Sequence, residues 1–424
     1  MGTRKLEISS DGFKRDVRPI TAPFRPAGTQ SWGNNTNSLF AAPVHQRAKQ
    51  VRLTLSPARQ DSRVYVAEVE LHGVRTGALP AIRALAMGRL GETGAPAVVA
   101  ASDASQFRAF AGDGTVLWST DLDGRFAVND IACFDLDGDR KDEVVYGGNS
   151  VRLGALDPQG KELWQTRPPV YRGIRGDVLT VFPADVDGDG IPEIGCGALN
   201  WQYFAYDAQG KQLWKNVIYA HSATVGCAAD LDGDGRDEIV GGNAYYRLNL
   251  IDDDGQRIIS ADRFGPEQTA VLAAHLTGDG TPEVIVGTDG GELLGFDAKG
   301  KRRWTRNVGD KVTRLLAIPG PGGQARLVCA AESANLFCFD GKGKPLWRTP
   351  LPDGVGDLVT VGKGKGLRLA AAVGSSGIAI LSTDGKLLAL GQTKGRALFL
   401  AALPNQVVAA TTQGLIQAFP VAPK

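Results

Sequence analysis

The chain has 424 residues, of which 43% are hydrophobic and 55 are glycine, so it is long enough for two or three domains with a large core. Its formal net charge of +1 argues against a nucleic-acid-binding surface, which would need a basic excess. No apolar run approaches the roughly 20 residues of a membrane-spanning helix, and the N-terminus, MGTRKLEISSDG, has no apolar signal-peptide core. Short apolar runs between Gly/Asp turns predict an all-β fold.

The first 73 residues differ from the rest of the chain. They contain a strand in KLEISSDG, a long polar loop that begins at Phe24, and two strands between Gln46 and Gly73. The segments Ser9–Gly12, Ala48–Leu53 and Glu68–Gly73 resemble, in this order, strands of a discoidin-type (coagulation factor type C) carbohydrate-binding β-sandwich. Only the C-terminal half of that fold is matched. The resemblance therefore implies either a fragment of a longer protein with a missing upstream domain, or strands reused to brace the next domain; an unrelated extension is the alternative.

From residue 74 to residue 424 the chain repeats. A glycine followed by a short strand, which often ends in Leu-Trp, recurs at intervals of 46, 50, 45, 45, 43 and 42 residues, at Gly114, Gly160, Gly210, Gly255, Gly300, Gly343 and Gly385. A period in the forties with four short strands per unit predicts a β-propeller. The outer strands that end in Trp resemble quinoprotein-type propeller repeats. We expect these Trp side chains to pack between blades and expect no bound quinone.

The number of inner strands favours eight blades over seven. Eight apolar inner strands are centred near Leu85, Ile131, Val181, Cys227, Ala273, Leu316, Val359 and Leu400. Only seven outer strands follow them, so the last blade lacks its fourth strand. A bare edge would expose unpaired backbone groups. We therefore expect the segment Val69–Thr76 to supply the missing strand and close the ring.

Three loops between first and second strands carry alternating carboxylates. The loops read DLDGDRKDE, DVDGDGIPE and DLDGDGRDE, with acidic residues at positions one, three, five and nine. The predicted ligands are Asp135, Asp137, Asp139 and Glu143; Asp185, Asp187, Asp189 and Glu193; and Asp230, Asp232, Asp234 and Glu238. Hard oxygen ligands spaced in this way on a tight loop suit Ca²⁺. Asx-type turns without a metal are the alternative.

The acidic loops resemble the FG-GAP/VCBS repeats of extracellular propellers, and this resemblance implies about three structural calcium sites. A fourth copy has His275 and Thr277 at positions one and three, so we expect weak binding or none there. The calcium loops and the discoidin resemblance together predict an extracellular or periplasmic protein.

The loops that open on the other face of blades 2 to 4 are rich in aromatic and cationic residues. They contain the predicted ligand-binding residues Asn149, Tyr171, Arg172, Arg175, Asn200, Trp201, Tyr203, Asn243, Tyr245, Tyr246 and Arg247. Stacking rings, amides and guanidinium groups suit sugars, especially acidic ones. The alternative is that these side chains serve local packing. The corresponding loops of blades 5 to 7 are small and plain.

Three functions are compatible with this arrangement. The first is binding of an extracellular polysaccharide or glycan, as an accessory part of a larger polysaccharide-active protein. The second is a polysaccharide lyase that acts on a uronate-containing glycan by β-elimination, with Tyr219 and His221 as the catalytic pair. The third is a protein-interaction scaffold, which needs no one-sided polar pocket. The lyase hypothesis rests on analogy at the level of the fold.

The five cysteines leave at least one thiol unpaired. Cys133, Cys196 and Cys227 lie in apolar runs and are predicted to be core residues. Cys329 and Cys338 flank a tight turn, so a disulfide across that hairpin is one possibility.

Overall fold

The computed structural model describes residues 4–9, 18–20, 25–32, 35–41, 50–55, 81–122, 124, 126–218, 221–245, 247–260, 267–278, 280–320, 322 and 324–421. The chain divides into two compact units. One consists of Met1–Ala78 with Arg172–Ile174, and the other of Leu79–Tyr171 with Arg175–Lys424. In the part of the chain described, no helix is long and apolar enough to cross a membrane.

Within the described residues, the first unit has five short strands in two sheets. These are β1 (Arg4–Ser9), β2 (Arg18–Ile20), β3 (Arg25–Trp32), β4 (Asn35–Ala41) and β5 (Gln50–Leu55). β1 pairs antiparallel with β2 and β5, and β3 pairs antiparallel with β4. The predicted polar loop is therefore a hairpin, built largely from polar residues that apolar periodicity does not detect. The discoidin resemblance stays a prediction, since Glu68–Gly73 lies outside the described residues.

The second unit is an eight-bladed β-propeller of sequential antiparallel sheets. Blades 1 to 4 consist of β6 (Ile82–Leu90), β7 (Ala95–Ser102), β8 (Gln106–Ala111), β9 (Val116–Asp121); β10 (Val128–Phe134), β11 (Glu143–Gly148), β12 (Arg152–Leu156), β13 (Glu162–Thr166); β14 (Val178–Ala184), β15 (Glu193–Ala198), β16 (Gln202–Tyr206), β17 (Gln212–Val217); and β18 (Ala223–Ala229), β19 (Glu238–Asn243), β20 (Asn249–Ile251), β21 (Arg257–Ser260).

Blades 5 to 8 continue the same order. They consist of β22 (Gln268–Ala274), β23 (Glu283–Thr288), β24 (Glu292–Phe296), β25 (Arg302–Asn307); β26 (Val312–Pro319), β27 (Ala325–Ala331), β28 (Asn335–Phe339), β29 (Pro345–Pro350); β30 (Asp357–Val361), β31 (Arg368–Ala372), β32 (Ile378–Ser382), β33 (Leu387–Gly391); and β34 (Ala397–Leu403), β35 (Gln406–Thr411), β36 (Ile416–Pro420). In the part of the chain that the structure describes, the predicted eight inner and seven outer strands are confirmed.

The ring closes where β34 of blade 8 contacts β6 of blade 1. Blade 8 has three strands in the described part of the chain. The segment Val69–Thr76, predicted to add the fourth, lies outside the described residues, so its role stays a prediction.

Side chains on inner and outer strands join neighbouring blades. On inner strands, Asn129 Nδ2 donates to Val178 O (2.8 Å), and Thr313 Oγ1 donates to Val355 O (2.7 Å). On outer strands, Trp164 Nε1 donates to Ala208 O in the next blade (2.7 Å). Equivalent bonds from Trp118 and Trp304 repeat this contact. The predicted packing of these Trp side chains between blades is confirmed.

All five cysteines are free thiols. The prediction of a possible Cys329–Cys338 disulfide is wrong. The two cysteines do not lie opposite each other in the hairpin, because Cys338 pairs with Val328 and Cys329 pairs with Phe337. Successive residues of a strand point to opposite faces, so the two thiols lie in different hydrophobic clusters. The remaining three cysteines are buried or pack against core clusters, as predicted.

Candidate functional site

The three acidic loops connect the first and second strands of blades 2, 3 and 4. We name them loop 2 (residues 135–142), loop 3 (185–192) and loop 4 (230–237). In loop 2, the two carboxylate oxygens of Asp135 accept from Gly138 N and Arg140 N, both at 2.7 Å. Asp137 Oδ1 accepts from Asp139 N at 3.1 Å. The chain thus folds tightly around its first carboxylate.

The same hydrogen bonds recur in loops 3 and 4. The first aspartate accepts from the fourth and sixth residues in both loops, Asp185 from Gly188 and Gly190, and Asp230 from Gly233 and Gly235. The ninth-position glutamate accepts from the second residue in all three copies, at distances of 2.8, 3.0 and 2.7 Å. The three loops therefore share one conformation.

These glutamates stand in a strongly acidic environment. Burial raises the pKa of Glu143 to about 7, and the nearby carboxylates of Asp137 and Asp139 act in the same direction against the hydrogen bond from Leu136 N. Burial and neighbouring aspartates likewise raise the pKa of Glu193 and of Glu238 to about 7. A bound cation would relieve this repulsion and favour the ionised carboxylates.

The oxygen donors of each loop converge. Ligand atoms lie within 4.8 Å of one another in three groups, Asp135, Asp137 and Glu143; Asp185, Asp187 and Glu193; and Asp230, Asp232 and Asp234. The other predicted ligands, Asp139, Asp189 and Glu238, lie outside these groups, and Glu238 forms a separate group with Asp252 and Asp253. A set composed of carboxylate oxygens is the chemistry that Ca²⁺ prefers, so the residues present fit that ion.

The corresponding loop of blade 5, which we name loop 5 (residues 275–282), satisfies its glutamate internally. Glu283 Oε2 accepts from Leu276 N (2.8 Å) and Thr277 N (3.1 Å), and the Thr277 hydroxyl donates to Glu283 Oε1. A hydroxyl donor thus takes the place of a carboxylate of loops 2 to 4. This arrangement agrees with the expectation of weak or absent binding, which stays a prediction.

On the propeller face opposite the acidic loops, aromatic rings from blades 2 to 4 form two pairs. The rings of Tyr171 and Trp201 approach edge to face, with centroids 6.5 Å apart. Those of His221 and Tyr245 lie 4.4 Å apart at 40°. His221 is exposed, and Tyr245 is 44% exposed. We name these four residues the aromatic surface.

Several of the predicted binding residues have structural partners. Asn149 Oδ1 accepts from Ala127 N (2.8 Å), and Asn243 Oδ1 accepts from Tyr245 N (3.1 Å). Asn200 is fully buried, and its amide donates to Pro169 O (2.7 Å). Asn200 and Asn243 thus organise loops that carry the rings, whereas Asn149 holds the segment that precedes β10.

Tyr203 is not on the aromatic surface. It is fully buried between blades, and its hydroxyl lies 2.7 Å from Val225 O and 2.5 Å from Gly242 O. All residues of its strand β16 are buried, so the sequence offered no polar–apolar alternation from which to assign its face.

The cationic residues differ in their surroundings. Arg175 Nη2 forms an ion pair with Asp177 at 2.8 Å, and Asp177 also accepts from Val151 N. Arg247 is half-buried. Arg172 belongs to the first compact unit, and the other predicted binding residues belong to the second. Tyr219 and Tyr246 lie outside the described residues. The predicted catalytic pair of Tyr219 and His221 therefore stays a prediction.

The sequence analysis missed the eighth residue of the acidic loops. In loop 2 this residue is Asp142, a buried carboxylate whose Oδ2 accepts from Arg89 N (2.8 Å) and whose Oδ1 accepts from Arg89 Nε (2.9 Å). Arg89 belongs to blade 1. Asp recurs at position eight in two of the three loops, and this recurrence could have marked the position as important. The sequence could not show that Asp142 bonds to Arg89 in the preceding blade.

Two families match parts of the chain. The λ-carrageenase β-propeller domain matches residues 97–172, and the family of the outer membrane protein assembly factor BamB matches residues 289–388. No curated protein sequence matches the chain. The first match spans loop 2 and reaches Tyr171, and the second spans strands of blades 5 to 7.

Several solved structures are similar to this chain. They include the computationally designed protein Ika8 (TM-score 0.61, 17% identity, 82% of this chain and 98% of that one), BamB from Moraxella catarrhalis (0.57, 18%, 76% and 93%) and Sqt1 from Saccharomyces cerevisiae (0.65, 12%, 82% and 97%). Identities this low establish the fold alone. The chain is therefore a β-propeller protein, with three acidic loops of one shared conformation.

Proposed function

We propose that this protein is an extracellular or periplasmic, calcium-stabilised β-propeller that binds an anionic polysaccharide, as an accessory part of a larger polysaccharide-active protein. The observation that carries the proposal is the match of residues 97–172 to λ-carrageenase propeller domains. That segment includes a complete acidic loop and reaches the aromatic surface at Tyr171.

Calcium has a supporting role in this proposal. The nine-residue pattern of loops 2 to 4 places carboxylate oxygens together and leaves their glutamates with raised pKa values. Bound calcium would neutralise these clusters and hold the ends of neighbouring strands in place. The low calcium concentration of the cytosol would rarely fill such sites, which favours an extracellular or periplasmic location.

The aromatic surface supports binding of sugars. Partly exposed rings offer faces for stacking on pyranose rings, and Arg247 brings positive charge to the same group of loops. Carrageenan and uronate polymers are both anionic, so the shared chemistry is an acidic polysaccharide.

Affinity electrophoresis through gels containing λ-carrageenan, alginate or neutral dextran tests the proposal. We expect the calcium-loaded protein to be retarded by an acidic polymer and not by dextran. Trp201→Ala and Tyr245→Ala should each weaken the retardation, whereas Leu346→Ala, at an exposed position of blade 6, should not. If neither λ-carrageenan nor alginate retards the protein, the proposal of polysaccharide binding is contradicted.

A second candidate is catalysis, because the matched family is named for an enzyme that acts on a polysaccharide. In the lyase hypothesis, one residue of the pair Tyr219 and His221 removes the proton α to a uronate carboxylate. The bond from the β-carbon to the glycosidic oxygen breaks, and the other residue donates a proton to that oxygen. The product absorbs ultraviolet light. Absorbance that is lost in both Tyr219→Phe and His221→Ala would identify a lyase, and new reducing ends without absorbance would indicate another type of cleavage.

A third candidate is a protein-interaction scaffold, which the match of residues 289–388 to the assembly factor BamB favours. Failure to bind or cleave any of the acidic polymers, together with capture of a defined protein partner by the intact chain, would support it.

A further inference from the structure

Loop 4 is attached to loop 3 by its eighth residue, Asp237. The backbone N–H of Asp237 donates to Asp185 O (2.7 Å), and Asp237 Oδ2 accepts from Asp185 N (3.0 Å). Asp185 is the first residue and a predicted ligand of loop 3. Asp237 directly precedes Glu238, a predicted ligand associated with loop 4. Two hydrogen bonds therefore connect a predicted ligand of loop 3 to the last residue of loop 4.

Loops 3 and 4 also pack directly against each other. A Cβ atom added at Gly188 would lie 3.1 Å from Gly235 O and 3.2 Å from Arg236 Cγ. Both Gly188 and Gly235 belong to the tight turns that surround the first aspartate of their loops. There is little free space at this contact, so a change in the conformation of one loop is transmitted to the other.

Loop 2 is attached to a cationic partner instead. Asp142 makes the equivalent two backbone bonds, but to Arg89 of blade 1 (3.0 Å and 2.8 Å). The guanidinium group of Arg89 lies 3.6 Å from Asp135 Oδ2, a predicted ligand atom. Blade 1 has a short turn after β6 and no acidic loop, so no second calcium site adjoins loop 2 from that direction.

Loops 2 and 3 lack the connection that Asp237 provides. The eighth residue of loop 3 is Pro192, which has neither a backbone N–H nor a carboxylate. A Cβ atom added at Gly138 would lie 3.1 Å from Ile191 Cδ1, which is the flexible end of a side chain. Movement of one loop can therefore be absorbed without moving the other.

The surrounding charges also differ between these loops. Loop 2 with Glu143 contains five carboxylates, but Arg89, Arg140 and Lys141 bring three positive charges. Loop 3 with Glu193 contains four carboxylates and no cationic side chain of its own, and the neighbouring Arg236 of loop 4 forms an ion pair with Asp253 at 2.8 Å. Nearby positive charge opposes a bound cation.

We propose that loops 3 and 4 bind calcium as a cooperative pair, whereas loop 2 binds calcium independently and more weakly. The inference rests on the calcium sites of the proposed function. Calcium in loop 3 would fix Asp185, and Asp185 holds Asp237 at the end of loop 4. Gly235, whose N–H donates to Asp230 Oδ2 in loop 4, packs against Gly188 of loop 3. Asp237 is thus a positioning residue that links two metal sites without being a predicted ligand.

Calcium titration calorimetry of the full chain tests this coupling. Asp187→Ala removes a predicted ligand of loop 3 and is expected to weaken the loop 4 site about tenfold, within the 5–150-fold range usual for coupled sites. Asp137→Ala, the matched change in loop 2, should remove the weakest binding event and leave the other two unchanged. Asp237→Ala removes the side-chain bond but not the backbone bond, so it should weaken the coupling, and Asp237→Asn, whose amide oxygen can still accept from Asp185 N, should weaken it less.

The outcomes separate the inference from the proposed function. If wild-type protein binds three ions but Asp187→Ala only removes one event, the coupling is refuted while the calcium sites stand. If wild-type protein binds no calcium, the calcium sites and the coupling are both refuted. Circular dichroism of each variant in calcium-free buffer controls for folding. Asp142→Ala is the matched control for Asp237→Ala, because it removes the eighth-position carboxylate of loop 2, and it should leave the coupling between loops 3 and 4 intact.

Discussion

Replacement of Gly210 by alanine is expected to destabilise the propeller far more than the same change at Gly114. Both glycines occupy the hairpin before the outer strand, and both have positive φ angles, +75° and +88°. A Cβ atom added at Gly210 would lie 2.5 Å from Trp164 Cε3 of the preceding blade, whereas a Cβ atom at Gly114 would meet no atom within 4 Å. The pair therefore separates backbone strain from interblade packing.

The difference in unfolding free energy follows from these contacts. Alanine in the left-handed region costs about 1 kcal/mol at either position. Overpacking against Trp164 adds about 1–3 kcal/mol, and loss of the 2.7 Å bond from Trp164 Nε1 to Ala208 O adds about 1 kcal/mol. We expect a total of about 3–5 kcal/mol for Gly210→Ala and about 1 kcal/mol for Gly114→Ala.

Urea unfolding followed by far-ultraviolet circular dichroism measures this difference. Both variants should unfold with the wild-type slope, and the midpoint should fall much further for Gly210→Ala. Equal midpoints for the two variants would refute the argument that the Trp–Gly contact stabilises the interface between blades.

Three further results are expected. Chelation of calcium should lower the melting temperature, because each site contributes about 2.7 kcal/mol at a free concentration one hundred times its Kd, and magnesium should not restore it at equal concentration. Arg140→Gly should raise the urea midpoint slightly or leave it unchanged. Arg140 has a φ of +70° where loops 3 and 4 have glycine, so glycine relieves about 1 kcal/mol of backbone strain, but its greater chain entropy in the unfolded state offsets this gain. A lower midpoint would contradict this. A reducing agent should leave the melting temperature unchanged, because Cys329 and Cys338 are free thiols.

The architecture of the second unit was predictable because it repeats. Each blade buries its faces against its neighbours, so the same apolar strands and glycine turns return at nearly constant intervals. The hairpin of β3 and β4 was missed because it occurs once and is largely polar, which leaves neither a period nor an apolar alternation to detect.

The candidate site was less predictable at the level of individual side chains. The positions of Asp135 and its equivalents followed from local spacing, and the loops fold locally around them. Tyr203 and the Cys329–Cys338 pair depended instead on which face of a fully buried strand each side chain occupies. Asp142 and Asp237 depended on contacts between blades, which lie more than 50 residues apart in the chain.

The acidic loops and the aromatic surface lie at opposite ends of the same strands. β11, β15 and β19 each begin at the ninth-position glutamate of an acidic loop. Asn149 and Asn200 lie in the loops that follow β11 and β15, and Asn243 is the last residue of β19. A six-residue strand spans roughly 17 Å at 3.3 Å per residue. Calcium at the first end would fix a strand whose other end, in blades 3 and 4, orients the rings through Asn200 and Asn243. Chelation should for this reason weaken retention by an acidic polysaccharide as well as thermal stability, although the metal and the sugar would not touch.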